Sequence, residues 1–171
     1  MPANELDRFI KIWDREAAST VKLLRALPAA QYDFRPDTSG RSLGELAWHL
    51  AEGDAYMSQG IERGQFNMSD RPPNVERPKT VEALAPGFER VHQEAVARIR
   101  KLTDEDLNRV IPFFAGMQLP IREILWDMII LHGVHHRGQP ALMCRLAGGE
   151  APGLYGPNRE ETAPMRAAAP A

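Results

Sequence analysis

The chain has 171 residues, 43% hydrophobic and 26% charged, which fits one soluble globular domain with a core of its own. A formal charge of −2 gives no electrostatic reason to bind nucleic acid or an acidic membrane. The single cysteine, Cys144, excludes an internal disulfide and a Cys-rich zinc module, and fits a reducing cytoplasm.

The N-terminus turns acidic and amphipathic at once, with no basic or apolar leader, so no secretory signal is expected. Leu6, Phe9, Ile10, Trp13, Ala17, Val21, Leu24 and Leu27 recur three or four apart. That periodicity predicts a first helix from about Asn4, its cap, to Leu27, ended by Pro28. A polar loop, 28–41, precedes Ser42-Leu-Gly-Glu45, a capping box that starts a second helix reaching Arg63 and stopping at Gly64.

The segment from Phe66 to Lys79 holds Pro72, Pro73 and Pro78 and reads as a long connection. Thr80 can cap a third helix over about Val81–Leu102. Pro86 conflicts with that start and favours a short turn before a helix beginning near Pro86. Between Thr103 and Gln118 lies a second connection, with one helical turn at Asp104–Asp106 and a short extended piece within Val110–Met117. Pro120 suits the first turn of a fourth helix that runs to about Leu146 and stops at Gly148-Gly149. The apolar stretch Ile121–Leu131 is too short and too charged to span a bilayer. From Glu150 the chain is rich in Pro, Gly and Ala. One domain over 1–161 is expected, with a disordered tail over 162–171. No strand alternation supports a sheet, so the fold class is all-α, a four-helix bundle with long connections.

The fourth helix carries Leu131-His132-Gly133-Val134-His135-His136-Arg137-Gly138-Gln139. Residues four apart share a helix face, so His132 and His136 can aim at one point. They follow the apolar stripe of Leu125, Met128 and Ile129 and face the interior. Two neutral imidazoles without partners are costly to bury, and a cation that accepts both lone pairs removes the cost. His49, on the second helix in a stripe with Leu46, Leu50 and Gly53, is the candidate third ligand. Three histidines leave coordination positions open, as in catalytic sites. The rival reading of each is a hydrogen-bonded core histidine, and of all three a metal-free hydrogen-bond network. His135 is an alternative by i,i+3 spacing but points about 100° away from His136 on the wheel. His92 has no partner by spacing and reads as structural or exposed. Gly133 stands where zincin proteases carry their glutamate base, which argues against a metalloprotease. Cys144 reads as a small core residue. Pro140 removes the N–H that would bond the carbonyl of His136, so a kink is expected there.

Three motifs carry a resemblance: Arg41-Ser-Leu-Gly-Glu-Leu-Ala-Trp-His49, His132-x-x-His135-His136-Arg137-Gly138-Gln139 and Leu154-Tyr155-Gly156-Pro157. Together they resemble the DinB/YfiT-like metal-dependent proteins, a damage-inducible family distinct from the DNA polymerase of the same name. The resemblance runs from about residue 5 to Glu161. It implies an up-down-down-up bundle, often a homodimer, with a nickel or zinc ion on His49, His132 and His136. It also implies a stress-response setting and, in some relatives, transferase or isomerase chemistry that depends on a low-molecular-weight thiol.

The leading functional expectation is therefore a metal-dependent enzyme of the thiol S-transferase type, in which the cation lowers the pKa of a small thiol. The alternatives are a metal-dependent hydrolase using the same site and a non-enzymatic metal-binding stress-response protein. Imidazole ligands alone do not select the metal. Glu45, one turn before His49, is available to orient a ligand but is already explained as a cap. Arg137 suits an interhelical ion pair or, less directly, an anionic substrate. Tyr155 suits packing.

Overall fold

The computed structural model describes residues 4–167. Helix α1 spans Glu5–Ala26, capped by Asn4, whose side chain accepts from the backbone N–H of Asp7 at 2.8 Å. Helix α2 spans Leu43–Arg63. Its capping box is closed in both directions, Glu45 N–H to Ser42 Oγ at 3.2 Å and Ser42 N–H to Glu45 Oε2 at 2.7 Å. Gly64, with φ of 73°, ends it in the left-handed conformation that glycine adopts without strain. Gly44 serves a different need. A Cβ there would lie 2.3 Å from the Tyr32 ring, so only glycine lets the preceding loop close over the start of α2.

Helix α3 spans Leu84–Ile99. Thr80 is not its cap: Ala83 holds that position, with no side-chain hydrogen bond. The later start resolves the difficulty of Pro86, which now falls in the first turn, where its missing N–H costs nothing. The second connection contains two three-residue strands, β1 (Val110–Pro112) and β2 (Gln118–Pro120), paired antiparallel with Ile111 opposite Leu119. The expected single extended piece is thus a hairpin. Its turn uses positive φ at Ala115 and Gly116. Strands this short carry too few alternating positions to be read as a pattern. Pro120 ends β2 and caps the next helix rather than entering it.

Helix α4 is one rod in three parts: Ile121–Glu123, a π-helical stretch Ile124–Leu131, and the α-helical His132–Leu146. The buried residues of the π stretch are Ile124, Leu125, Ile129 and Ile130, and the wider winding changes the spacing at which side chains return to the core face. The rod continues through Pro140 to Leu146, and Gly148, at φ 82°, follows its end. Helix α5, Arg159–Ala167, replaces part of the expected disordered tail. Asn158 and Glu161 form a reciprocal cap at 2.6 and 3.0 Å, a signal the Pro/Ala-rich composition obscured. Residues 168–171 lie outside the described residues.

Two apolar clusters fix the helix directions. One joins the end of α1 (Leu23, Leu24) to the start of α2 (Leu43, Leu46), the start of α3 (Leu84, Phe88) and the end of α4 (Met143, Cys144). The other joins the start of α1 (Leu6, Phe9) to the end of α2 (Met57, Ile61), the end of α3 (Ala95, Ile99) and the start of α4 (Ile121, Ile124). The bundle therefore runs up-down-down-up, an all-α four-helix architecture. No helix of the described residues is long and apolar enough to cross a membrane.

Near the boundary between the two clusters sit buried polar groups. Arg137, 2% exposed, reaches from α4 to α1, where it pairs with the Glu16 carboxylate and donates to the Glu16 carbonyl at 2.6 Å and Thr20 Oγ1 at 3.2 Å. The Tyr155 hydroxyl joins both the guanidinium and Glu16. Burial opposes ionisation of Glu16, but Arg137 and Tyr155 outweigh it and hold its carboxyl below the usual range. Replacing Arg137 by Met strands a buried carboxylate and should cost about 3–5 kcal/mol of unfolding free energy. Adding Glu16→Gln should recover part of that loss. Denaturant melts of the single and double variants check it, and equal midpoints for wild type and Arg137→Met would count against the ion pair as a tie.

Candidate metal centre

His49 sits midway along α2, and His132 and His136 sit on the first two turns of the α-helical part of α4. The packing of α2 against α4 brings them together. One ligand atom from each ring lies within 4.8 Å of the others. Ring centroids are 4.3 Å apart for His132 and His136, 4.8 Å for His49 and His136, and 5.7 Å for His49 and His132. All three are half-buried. The sequence-derived trio is thus the set that converges. Tetrahedral coordination at about 2.1 Å would need the nitrogens roughly 3.4 Å apart, a small inward adjustment of side chains.

The rings are oriented as ligands require. Nδ1–H of His136 donates to Gln139 Oε1 at 2.7 Å, which leaves the lone pair on Nε2. Nδ1 of His49 lies 3.4 Å from Glu52 Oε2, a longer contact with the same consequence. Glu52 is itself held by Arg77 at 3.0 Å. Burial opposes its ionisation, but the bonds from His49 and Arg77 outweigh it and keep it a carboxylate. Burial also depresses His132 to about 4, helped by the charges of His136, His49, His135 and Arg41. His136 is lowered by burial too, against the opposing bond from Gln139. Burial thus disfavours the protonated forms of His132 and His136, and the neutral ring is the state in which imidazole binds a cation. The donor set, three imidazoles with two of them fixed through Nδ1, fits a divalent cation.

Other candidates separate cleanly from this cluster. His135 is exposed and meets its neighbours only through ring contact with His136 and a 3.5 Å approach to Gln139. His92 is buried, not exposed, and has two partners that spacing did not reveal: Asp54 at 3.0 Å and Asp14 at 3.1 Å. Glu45 is occupied by its cap and by Arg35 at 2.7 Å, so it does not orient His49. Glu52 does, and its place three residues after His49 was a legible signal. Cys144 is buried in the core. Arg137 makes the interhelical ion pair, with Tyr155 packed on it.

A cleft of about 570 Å³ opens beside His49 and His132. The long connection after α2 forms part of its wall, pinned by Tyr56 Oη–H to the Asn67 carbonyl at 2.6 Å and Trp48 Nε1–H to the Val75 carbonyl at 3.1 Å. One side of the cluster is therefore open to a small molecule, while helices close the other.

Comparison with known proteins agrees with this architecture. The family model described as "DinB family" matches residues 1–168. A curated relative, the uncharacterized protein YrdA of Bacillus subtilis (strain 168), is 33% identical over 171 residues, covering 96% of each chain. The crystal structure of a DinB-like protein from Bacillus cereus ATCC 10987 superposes with a TM-score of 0.71 at 28% identity, over 86% of this chain and 95% of that one. A DinB-like protein of Bacillus subtilis, YjoA, shares the fold at a TM-score of 0.68 and 20% identity, over 89% and 99%. With its capped helices, its up-down-down-up core and a family match along nearly its whole length, the chain belongs to the DinB family.

Proposed function

We propose that this protein is a metal-dependent enzyme that holds a divalent cation on His49, His132 and His136 and acts on a small thiol as an S-transferase. The observation that carries the reading is the convergence of three imidazoles from two helices beside an open cleft. When bound, the cation supplies Lewis acidity that lowers the pKa of a thiol presented to it. His49 and His136 are held ready by Glu52 and Gln139, and the apolar ends of α2 and α4 limit water on the closed side. Metal-dependent hydrolysis is the alternative at the same three histidines, since a cation that lowers the pKa of a thiol lowers that of water as well. Both carboxylates lining the cleft are committed, Glu52 to His49 and Arg77, and Asp70 to Arg63 at 3.2 Å.

Elemental analysis of untagged protein should find about one zinc or nickel per chain, lost in His49→Ala and in His136→Ala. Both variants keeping full occupancy would overturn the ligand assignment. Adding a low-molecular-weight thiol to the Co²⁺-substituted protein should shift its visible absorption. An unmoved spectrum would count against the thiol and leave the metal site standing.

The depressed pKa of His132 has a stability consequence. A folded-state value below the ordinary 6.5 favours the fold above that pH, and the contribution is lost as pH falls through about 4. Metal-free protein should therefore denature at lower urea at about pH 5 than at about pH 7, and His132→Asn should flatten the difference. A variant with the wild-type slope would show that the ring is not desolvated.

The outer face of α4 supports self-association. Leu131 and Leu142 are each 61% exposed and Leu146 is 56% exposed, along one stripe. Sedimentation at micromolar concentration should give twice the monomer mass of 19.1 kDa, and Leu142→Glu should return the monomer. A monomeric wild type would refute this.

A further inference from the structure

The charges around the cleft do not balance one another. Four ionised side chains other than histidine line it: Arg41, Glu52, Asp70 and Arg71. The two carboxylates have cationic partners already, as described above. The two guanidiniums lack carboxylates. Among the described residues, Arg41 makes no hydrogen bond or ion pair, and Arg71 donates only to the carbonyls of Met68 at 3.3 Å and Asp70 at 2.9 Å. Arg41 stands close enough for its charge to act on His132 and His136. Most of the remaining wall is apolar: Met57, Met128 and Val75, with Phe114 stacked on Tyr56 at 5.8 Å and 17° between planes. Methionines and an aromatic pair make an adaptable surface for an apolar body. The volume lies within the ordinary range for a small-molecule site.

We infer that this cleft binds a small amphiphilic anion, its charged end held by Arg41 and Arg71 and its apolar body against Met57, Met128 and Phe114. A planar guanidinium with free N–H groups matches a carboxylate or a phosphate in paired hydrogen bonds, and two of them lining one cleft select charge over a neutral polar group. The inference deepens the metal-enzyme reading by naming its substrate class, and rests on that reading only for the reaction that follows binding. The anion is recognised by arginine, so the recognition persists without the cation.

Calorimetric titration of hexanoate, hexyl phosphate and hexanamide tests it, with zinc-loaded and EDTA-treated protein in parallel. The amide supplies the same chain without charge, and the two anions distinguish carboxylate from phosphate. At least one anion should bind about tenfold or more tightly than the amide in both preparations. Arg41→Gln and Arg71→Gln should each remove most of that preference. Both positions are exposed, so the variants keep the fold, which thermal melts check. Equal binding of all three probes, or no binding of any, overturns the inference. A preference that survives both substitutions but vanishes with EDTA also overturns it, because the cation would then be the anion's partner. That last result leaves the metal site intact. Untagged protein that elemental analysis finds to carry no metal, with an arginine-dependent preference retained, would instead remove the enzyme reading and keep the anion site.

Discussion

The placement of α4 depends on one buried cation. Arg137 follows His136 directly, yet it points the other way, into α1, where Glu16, Thr20 and the Glu16 carbonyl take its donors. One turn of helix thus presents a candidate ligand toward α2 and a tie to α1. Tyr155 completes the arrangement from the C-terminal segment, its ring 5.2 Å from the guanidinium carbon. Such a pair is no efficient source of stability, since desolvation offsets most of its attraction. Its value lies in allowing only one rotation of α4 about its axis. A purely apolar contact could slide, and His132 and His136 would then lose their common bearing with His49.

Two groups of histidines show how surroundings set charge. The cluster of three has no carboxylate among its inner neighbours except Glu52 at the edge, and burial lowers the pKa of His132 and His136. His92 lies deeper, and burial works against its charge as well. There, however, Asp54 and Asp14 meet its two nitrogens and raise its pKa. Two carboxylate acceptors are both satisfied only when both ring nitrogens carry protons. Trp13 adds an indole N–H to Asp54 at 3.3 Å, which closes the network. A ring so occupied has no lone pair for a metal. The same residue type is a ligand candidate in one place and a buried hydrogen-bonded tie between helices in the other.

Periodicity and capping made much of this legible. Asn4, Ser42, Glu45 and Gly64 mark three helix ends correctly because the cap is a local interaction. The i,i+4 pair His132 and His136 and the stripe of His49 identified the converging rings, since helical geometry fixes their bearing. Three features lay beyond such reasoning. The π winding of Ile124–Leu131 breaks the 3.6-residue period that any helical wheel assumes. The carboxylate partners of His92 and Arg137 come from other helices, 38 to 121 residues away in sequence, and no local pattern encodes them. The hairpin at Val110–Pro112 and Gln118–Pro120 is too short to alternate. The cap at Asn158 and Glu161 is different: it was written in the chain, but Pro164 and the alanines around it suggested the opposite.

Cys144 is shut inside the bundle, its Sγ 3.6 Å from the Ala26 carbonyl and crowded by Gly149, where even one added carbon would lie 2.8 Å away. Burial raises its pKa, so the nucleophilic thiolate is scarce as well as unreachable. The only sulfhydryl in the chain is therefore a spectator. It forms no mixed disulfide with small thiols and resists alkylation in the folded state. Any loss of free thiol seen when the protein is mixed with a sulfur nucleophile and an electrophile belongs to the added reagents alone.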